Sequence, residues 1–170
     1  LFTRVTAELD LAAEPHPAIE YGLAWCRARL PLQRPRVVGH GDFRIGNVLV
    51  DERGVAAVLD WEFAHLSDPL EDLAWPLVRA WRFGADERRL GGVAGVERYL
   101  ARYTELTGID VPADELYAWE VLGNCKWAIG ALNQARRHLR GEERNVEYAV
   151  LGRLAAEMEY ELLDLIERAA

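Results

Sequence analysis

Apolar residues recur at three- and four-residue spacing through most of this chain, and one interval breaks the rhythm with short β-branched runs. After Pro15 and Pro17, the residues Ile19, Leu23, Cys26 and Leu30 predict an amphipathic helix over Ala18–Leu30, which Pro31 and Pro35 break. Arg36-Val37-Val38-Gly39-His40 reads as a short β-like run. Val48-Leu49-Val50 and Val55–Leu59, joined through Asp51-Glu52-Arg53-Gly54, carry the signature of a hairpin: two β-branched runs around a polar turn with glycine near its end. Beyond Pro69 the period is helical over Leu70–Trp81, Val93–Thr107, Ala113–Arg140 and Asn145–Ala169. Pro76 kinks or splits the first of these, and Gly84, Gly91-Gly92, Gly108 with Pro112, and Gly141 stand at helix ends. No internal repeat or low-complexity segment appears. The pattern predicts a mixed α/β chain, mostly α, with a small β-hairpin set in a helical body.

Composition narrows the picture. The 170 residues suit a single domain, 1–170, or one large lobe of a bigger enzyme. A hydrophobic fraction of 51% with 28% charge is that of a folded globular chain and excludes wholesale disorder. The 28 acids against 20 bases, a net charge of −8, argue against broad nucleic-acid binding, which needs a basic footprint. No apolar run reaches the ~18 residues of a membrane span, and no signal peptide is visible, so no membrane partner is expected. Two cysteines, Cys26 and Cys125, lack zinc-site spacing and read as reduced core thiols of a cytoplasmic protein. The chain begins Leu1-Phe2-Thr3-Arg4 without an initiator Met, as expected of one processed, trimmed or cut from something longer.

The chemistry lies between His40 and Asp72. Asp42 precedes Asn47 by five residues, and Asn47 precedes Asp60 by thirteen. The first two sit on the loop entering the hairpin and the third where the hairpin ends. Because a hairpin returns the chain beside its start, the three side chains can converge. Two carboxylates and an amide suit a hard cation such as Mg²⁺, which takes a few oxygen ligands and keeps water and phosphate for the rest. Between Asp51 and Asp72 seven acids stand against one base, Arg53, so this stretch carries −6 of the net −8. Such a cluster needs solvent or a metal to offset its self-repulsion. The bland alternative is a turn-rich loop with ordinary Asx hydrogen bonds.

His40-x-Asp42-x-x-x-x-Asn47 followed by Asp60 resembles the catalytic loop and metal-binding Asp of the protein-kinase-like fold. More narrowly, Gly39-His40-Gly41-Asp42, Asn47-Val48-Leu49-Val50, Leu59-Asp60-Trp61-Glu62 and Ser67-Asp68-Pro69-x-x-Asp72-Leu73-Ala74 resemble the aminoglycoside phosphotransferase and choline kinase group, tightly over Val37–Trp75 and loosely elsewhere. The resemblance implies a protein-kinase-like C-lobe, with a small catalytic hairpin and a helical bundle, that uses ATP as phosphoryl donor and Mg²⁺ as cofactor. It implies that Asp42 accepts or orients the proton of the substrate hydroxyl and that Asn47 and Asp60 hold Mg²⁺ on the nucleotide phosphates. His40 would brace the loop toward the metal-binding segment, and Asp72 would tie down the loop backbone. Arg44 stands where such relatives often carry His or Lys, and its cation would face the transferred phosphate. Glu62, two residues after Asp60, would lie on the same side of an extended chain.

Relatives place a β-rich nucleotide lobe before this region, whereas the 39 residues preceding His40 read as helix and proline-rich connector. The sole lysine, Lys126, lies far downstream. The resemblance therefore implies a missing N-terminal lobe of the same polypeptide as a partner, beside a small-molecule hydroxyl substrate. A non-catalytic, pseudokinase-like binding module or remnant is the alternative. A metal-dependent phosphoesterase is disfavoured, because four scattered histidines offer no second His-containing motif. A cationic acceptor such as an aminoglycoside or choline would suit the acidic balance. The aliphatic and Trp-rich helices would equally admit a hydroxyacyl or thioester-linked one, and some similar kinase domains are fused to acyl-CoA dehydrogenases. Six tryptophans read first as core, and Glu157, Glu159 and Glu161 as helix surface.

Overall fold

A computed structural model describes residues 1–30, 34 and 36–169; Pro31 and Pro35, read as helix breakers, lie outside the described residues. The chain divides into two compact units, Leu1–Leu30 with Val121–Ala170, and Pro31–Glu120. Among the described residues no helix is long and apolar enough to cross a membrane.

Among the described residues, the unit Pro31–Glu120 holds every strand. β1 (Val37–Gly39) pairs antiparallel with β4 (His65–Ser67), Gly39 opposite His65. β2 (Val48–Asp51) and β3 (Gly54–Val58) form the expected hairpin, Val48 opposite Val58, with a register shift between Leu49 and Val50. The Asp51 carboxylate closes the turn by accepting from the Arg53 backbone N–H at 2.7 Å. That bond and the Arg53 guanidinium hold the carboxyl below its usual range.

α3 (Pro69–Ala74) begins where its sequence dictates. Asp68 is the N-cap, its side chain accepting from Leu70 N at 2.9 Å, and Pro69 fills the first helical position, whose N–H would have no partner anyway. Pro76 then ends the helix. Instead of one helix over Leu70–Trp81, two 3-10 turns follow, Trp75–Leu77 and Arg79–Arg82. The helix expected from Val93 starts only at Glu97, as α4 (Glu97–Thr107), because Leu90 and Ala94 form a β-bridge and Gly91 and Gly92 take positive φ. Leu70, Leu77 and Val78 are fully buried, with Leu116 and Trp119 close to it, in this unit's core. Buried among them, Glu120 receives Arg82 at 3.0 Å and pairs with Arg89, while Arg82 also donates to Leu77 O at 2.8 Å. Two cations and a backbone acceptor compensate charges that would be costly to bury alone.

The other unit is helical: α1 (Phe2–Asp10), α2 (Pro17–Arg29), the continuation of α5 (Ala113–Leu139) from Val121, and α6 (Val146–Arg168). Asn145 caps α6 by accepting from Glu147 N at 2.8 Å. Gly22 on α2 lets three helices meet, since a Cβ there would lie 2.8 Å from Cys125 Sγ and 3.2 Å from Leu162 Cδ1. Cys26 and Cys125 form no disulfide and are fully buried; burial pushes both thiols up, Cys125 to about 12. Of the acids expected on the surface of α6, Glu157 is exposed as expected, whereas Glu161 needs correction. Met158, Leu162 and Leu165 define the buried stripe, and Glu161 falls on it, only 6% exposed. Glu159 pairs with His16 Nδ1 at 3.0 Å.

Candidate functional site

The loop after β1 is held from below by α3. Both Asp72 carboxylate oxygens take backbone donors, Oδ2 from His40 N at 2.5 Å and Oδ1 from Gly41 N at 2.9 Å. The loop reaches this position only because Gly41 is a glycine: its φ is +82°, and a Cβ would run into the Phe63 carbonyl. Burial, reinforced by the negative charge of Asp72, pushes the Tyr99 phenol above its usual range.

His40 is buried, and its ring ties the loop to the end of the hairpin. Its Nδ1 accepts from Asp42 N at 3.2 Å, so Nε2 carries the hydrogen and donates to Leu59 O at 2.8 Å. The Trp61 ring packs on it with centroids 4.6 Å apart. One imidazole thus links the loop after β1 to the residue just before Asp60.

Asp42 gathers the most contacts. Its Oδ1 accepts from Trp75 Nε1 at 2.7 Å, and its Oδ2 from Asn47 Nδ2 at 2.8 Å and Arg44 Nε at 3.1 Å. Asn47 spends its second amide hydrogen on Asp42 O at 2.9 Å. The Arg44 guanidinium lies over the Trp81 ring, 4.8 Å from the centroid, and the Trp75 and Trp81 rings are 5.7 Å apart. Asp42 and Arg44 keep 14% and 27% of their side chains exposed, so the carboxylate is braced but reachable.

The hairpin brings Asn47 to Leu59, the residue before Asp60. The ladder runs one step past Val48–Val58, since Asn47 O accepts from Leu59 N at 2.8 Å. Asp60 follows at once, exposed and in the left-handed region at φ 65°, ψ 59°. That conformation costs an L-residue about 1–2 kcal/mol and is tolerated best by Asn and Asp. It turns the chain out of the strand into the 3-10 turn Trp61–Phe63, so Glu62 is not in extended chain and does not share a strand face with Asp60. With both amide hydrogens of Asn47 spent, its Oδ1 is left as an acceptor, on the residue whose backbone O is bonded to Leu59, the neighbour of Asp60 in the chain. Among the described residues no group of three or more His, Cys, Asp and Glu converges as a metal site. One amide oxygen and one carboxylate nevertheless fit Mg²⁺, which is ordinarily held by one or two protein oxygens with water and phosphate completing its shell.

Of the residues given catalytic or metal-binding roles by the resemblance, His40, Asp42, Arg44 and Asn47 form one hydrogen-bonded set, and Asp60 follows Leu59, which is bonded to Asn47. Sequence reasoning missed Trp75 and Trp81, read as core. The one signal for Trp75 was its spacing, three residues after Asp72, which puts both on the same side of α3 and its continuation.

The sequence profile of the phosphotransferase enzyme family (APH) matches residues 2–113. The chain is 30% identical over 155 residues to acyl-CoA dehydrogenase family member 10 of Mus musculus, a match covering 84% of this chain and 14% of that protein. It is 31% identical over 105 residues to acyl-CoA dehydrogenase family member 11 of Pongo abelii, covering 55% of this chain and 13% of the relative. The human family member 11 matches at 30% over 104 residues, with the same coverage. The chain thus spans only 13–14% of the length of these relatives. The crystal structure of a candidate aminoglycoside phosphotransferase from Ralstonia eutropha JMP134 superposes with a TM-score of 0.81 at 22% identity, covering 98% of this chain and 54% of that one. That likeness carries the fold: mixed α/β, mostly helical, with the small hairpin of a kinase-like lobe.

Proposed function

The chain belongs to the phosphotransferase enzyme family, and on that premise we propose that it is the catalytic and acceptor-binding lobe of an ATP-dependent small-molecule kinase. The observation that carries the reading is the Asp42 carboxylate, held by Asn47, Arg44 and Trp75, with Asn47 bonded through its backbone to Leu59, the residue before Asp60. In this reading Asp42 takes the proton of an acceptor hydroxyl. The acceptor oxygen bonds to the γ-phosphorus of ATP as the bond to the bridging oxygen breaks, and ADP leaves with the electron pair. Asn47 Oδ1 and the Asp60 carboxylate would hold Mg²⁺, which when bound neutralises phosphate charge and orients the donor. Arg44 adds a fixed cation within reach of the moving phosphoryl, and His40 and Asp72 keep the loop in register. Positioning and electrostatics are what such transfers ask of a protein.

The nucleotide lobe belongs, in this proposal, to the same polypeptide. Support comes from apolar side chains on and between the two small sheets: Val38, Leu49, Val50, Val55, Trp61 and Leu66 are 51–70% exposed, a surface that calls for a cover. The solved neighbour, nearly twice as long as the stretch it shares, is built on that scale. The compartment in this proposal is the cytoplasm, where cysteines such as Cys26 and Cys125, buried and outside any disulfide, stay reduced.

Calorimetric titration of Mg²⁺·ATP, with Asp60→Ala as control, tests the reading. Binding that the substitution removes is expected. Undiminished binding by Asp60→Ala would refute Asp60 as a metal ligand. No binding even by the full-length polypeptide would leave a non-catalytic module as the better account.

A further inference from the structure

An ionised carboxylate offers about four acceptor positions, two on each oxygen. On Asp42, Oδ2 has both filled, by Asn47 Nδ2 at 2.8 Å and Arg44 Nε at 3.1 Å. Oδ1 has one filled, by Trp75 Nε1 at 2.7 Å. Among the described residues no other donor reaches either oxygen. From this asymmetry we infer that Oδ1 is the atom that takes the acceptor's proton and that Trp75 is a positioning residue whose indole N–H aims it. The inference rests on the phosphotransferase reading and deepens it: it names the basic atom and a residue that acts on the reaction through Asp42.

The geometry gives Trp75 little freedom. It begins the 3-10 turn Trp75–Leu77, directly after α3, so the helix that anchors the loop backbone through Asp72 also anchors the carboxylate through Trp75. Its ring meets Trp81, and Trp81 carries the Arg44 guanidinium, which returns to Asp42 Oδ2. The carboxylate plane is therefore fixed from both ends, with Oδ1 retaining one lone pair. The proton moves from the acceptor hydroxyl to that lone pair, the acceptor oxygen forms its bond to the γ-phosphorus, and ADP departs with the electrons of the broken P–O bond. The proton later leaves Oδ1 for solvent. Losing the indole donor frees the carboxylate to rotate, and a misplacement of this size costs up to about 100-fold in rate without changing how the donor binds.

The experiment has two arms. In the 170-residue chain labelled with ¹⁵N at tryptophan, the indole N–H of Trp75, assigned by its loss in Trp75→Phe, should resonate downfield and exchange slowly; Asp42→Ala should move it upfield. In the full-length polypeptide, turnover is measured with Mg²⁺·ATP as donor and water as acceptor. Trp75→Phe should lower kcat roughly 10- to 100-fold with KM for Mg²⁺·ATP unchanged, and Trp75→His, which restores a ring N–H, should recover part of the loss. An indole signal indifferent to Asp42→Ala, or wild-type turnover by Trp75→Phe, overturns the role of Trp75 while leaving phosphoryl transfer standing. Equal losses in Trp75→His and Trp75→Phe also overturn it, by making the ring's bulk the cause. A wild-type polypeptide that turns nothing over, its indole signal intact, overturns the phosphotransferase reading and the role with it.

Discussion

Removing Asp72 tests the architecture of the site more directly than removing any residue that would touch substrate. Its carboxylate accepts the backbone N–H of His40 at 2.5 Å and of Gly41 at 2.9 Å. A hydrogen bond to a charged partner contributes roughly 1.5–3 kcal/mol, so the pair sets an upper bound of about 3–6 kcal/mol. Asp72 is half-buried, and water can replace part of what is lost, which brings the expected cost of Asp72→Ala to about 2–4 kcal/mol. For a chain of this size that is a fall in Tm of roughly 5–15 °C. Asp72→Asn should recover little, because it keeps one acceptor and points a donor at the other amide. Urea unfolding followed by tryptophan fluorescence reads the stability, and native-state hydrogen exchange reads the two amides individually. His40 and Gly41 should be protected in the wild type and lose protection in Asp72→Ala, while Leu59 N, bonded to Asn47 O in the hairpin, stays protected. Tyr99 supplies a check on the charge: its phenol should titrate lower once Asp72 is gone, yet stay above the usual range because burial, the larger cause, remains. An unchanged unfolding midpoint with both amides still protected would refute the claim that Asp72 holds the loop.

Asp42→Ala should reduce phosphoryl transfer by about 10²–10⁴-fold, the contribution of a positioned base, while calorimetry still detects Mg²⁺·ATP; full turnover by this variant would end the base assignment. Stability should fall with rising pH above about 9. Both buried thiols titrate higher in the fold than in the unfolded chain, so the folded state binds more protons there, and each thiol adds a slope of about −1.4 kcal/mol per pH unit until its folded pKa, about 12 for Cys125, is reached. Urea midpoints between pH 8 and 11 measure this, and Cys125→Ala should flatten the dependence. Gly22→Ala should cost about 1–3 kcal/mol by driving a methyl into Cys125 Sγ at 2.8 Å, and the double variant with Cys125→Ala should regain part of it; equal stability of wild type and Gly22→Ala would contradict the close approach of α2 to α5.

Short-range features were legible in the sequence. The hairpin Val48–Val58, its Asp51–Gly54 turn and the end of α5 at Leu139 came within a residue or two of their observed limits, and so did α6 with its Asn145 cap. In each, turn chemistry and apolar period act on neighbouring residues and agree with one another. The motif residues His40, Asp42, Asn47 and Asp60 were legible as a string, and the hairpin return, which brings Leu59 back to Asn47, is a local matter. The pairing of β1 with β4 was not: strands of three residues, 26 or more apart in sequence, carry no period of their own. Nor was the start of α4 at Glu97, where two glycines at positive φ and a β-bridge override the apolar spacing from Val93.

By itself the sequence determined the family, the hairpin, the helical remainder and the identity of the loop residues, because these depend on residue type at short spacing. Only the tertiary structure decided which polar atoms meet. Trp75 looks like core in sequence, and its single N–H is too small a part of the side chain to alter any pattern, yet it lands on Asp42 Oδ1. Glu120 and Glu161 look like helix surface until packing buries both, in two different units. Burial, and the partner a buried polar atom must then find, is a property of elements brought together, and no local stretch of the chain encodes it.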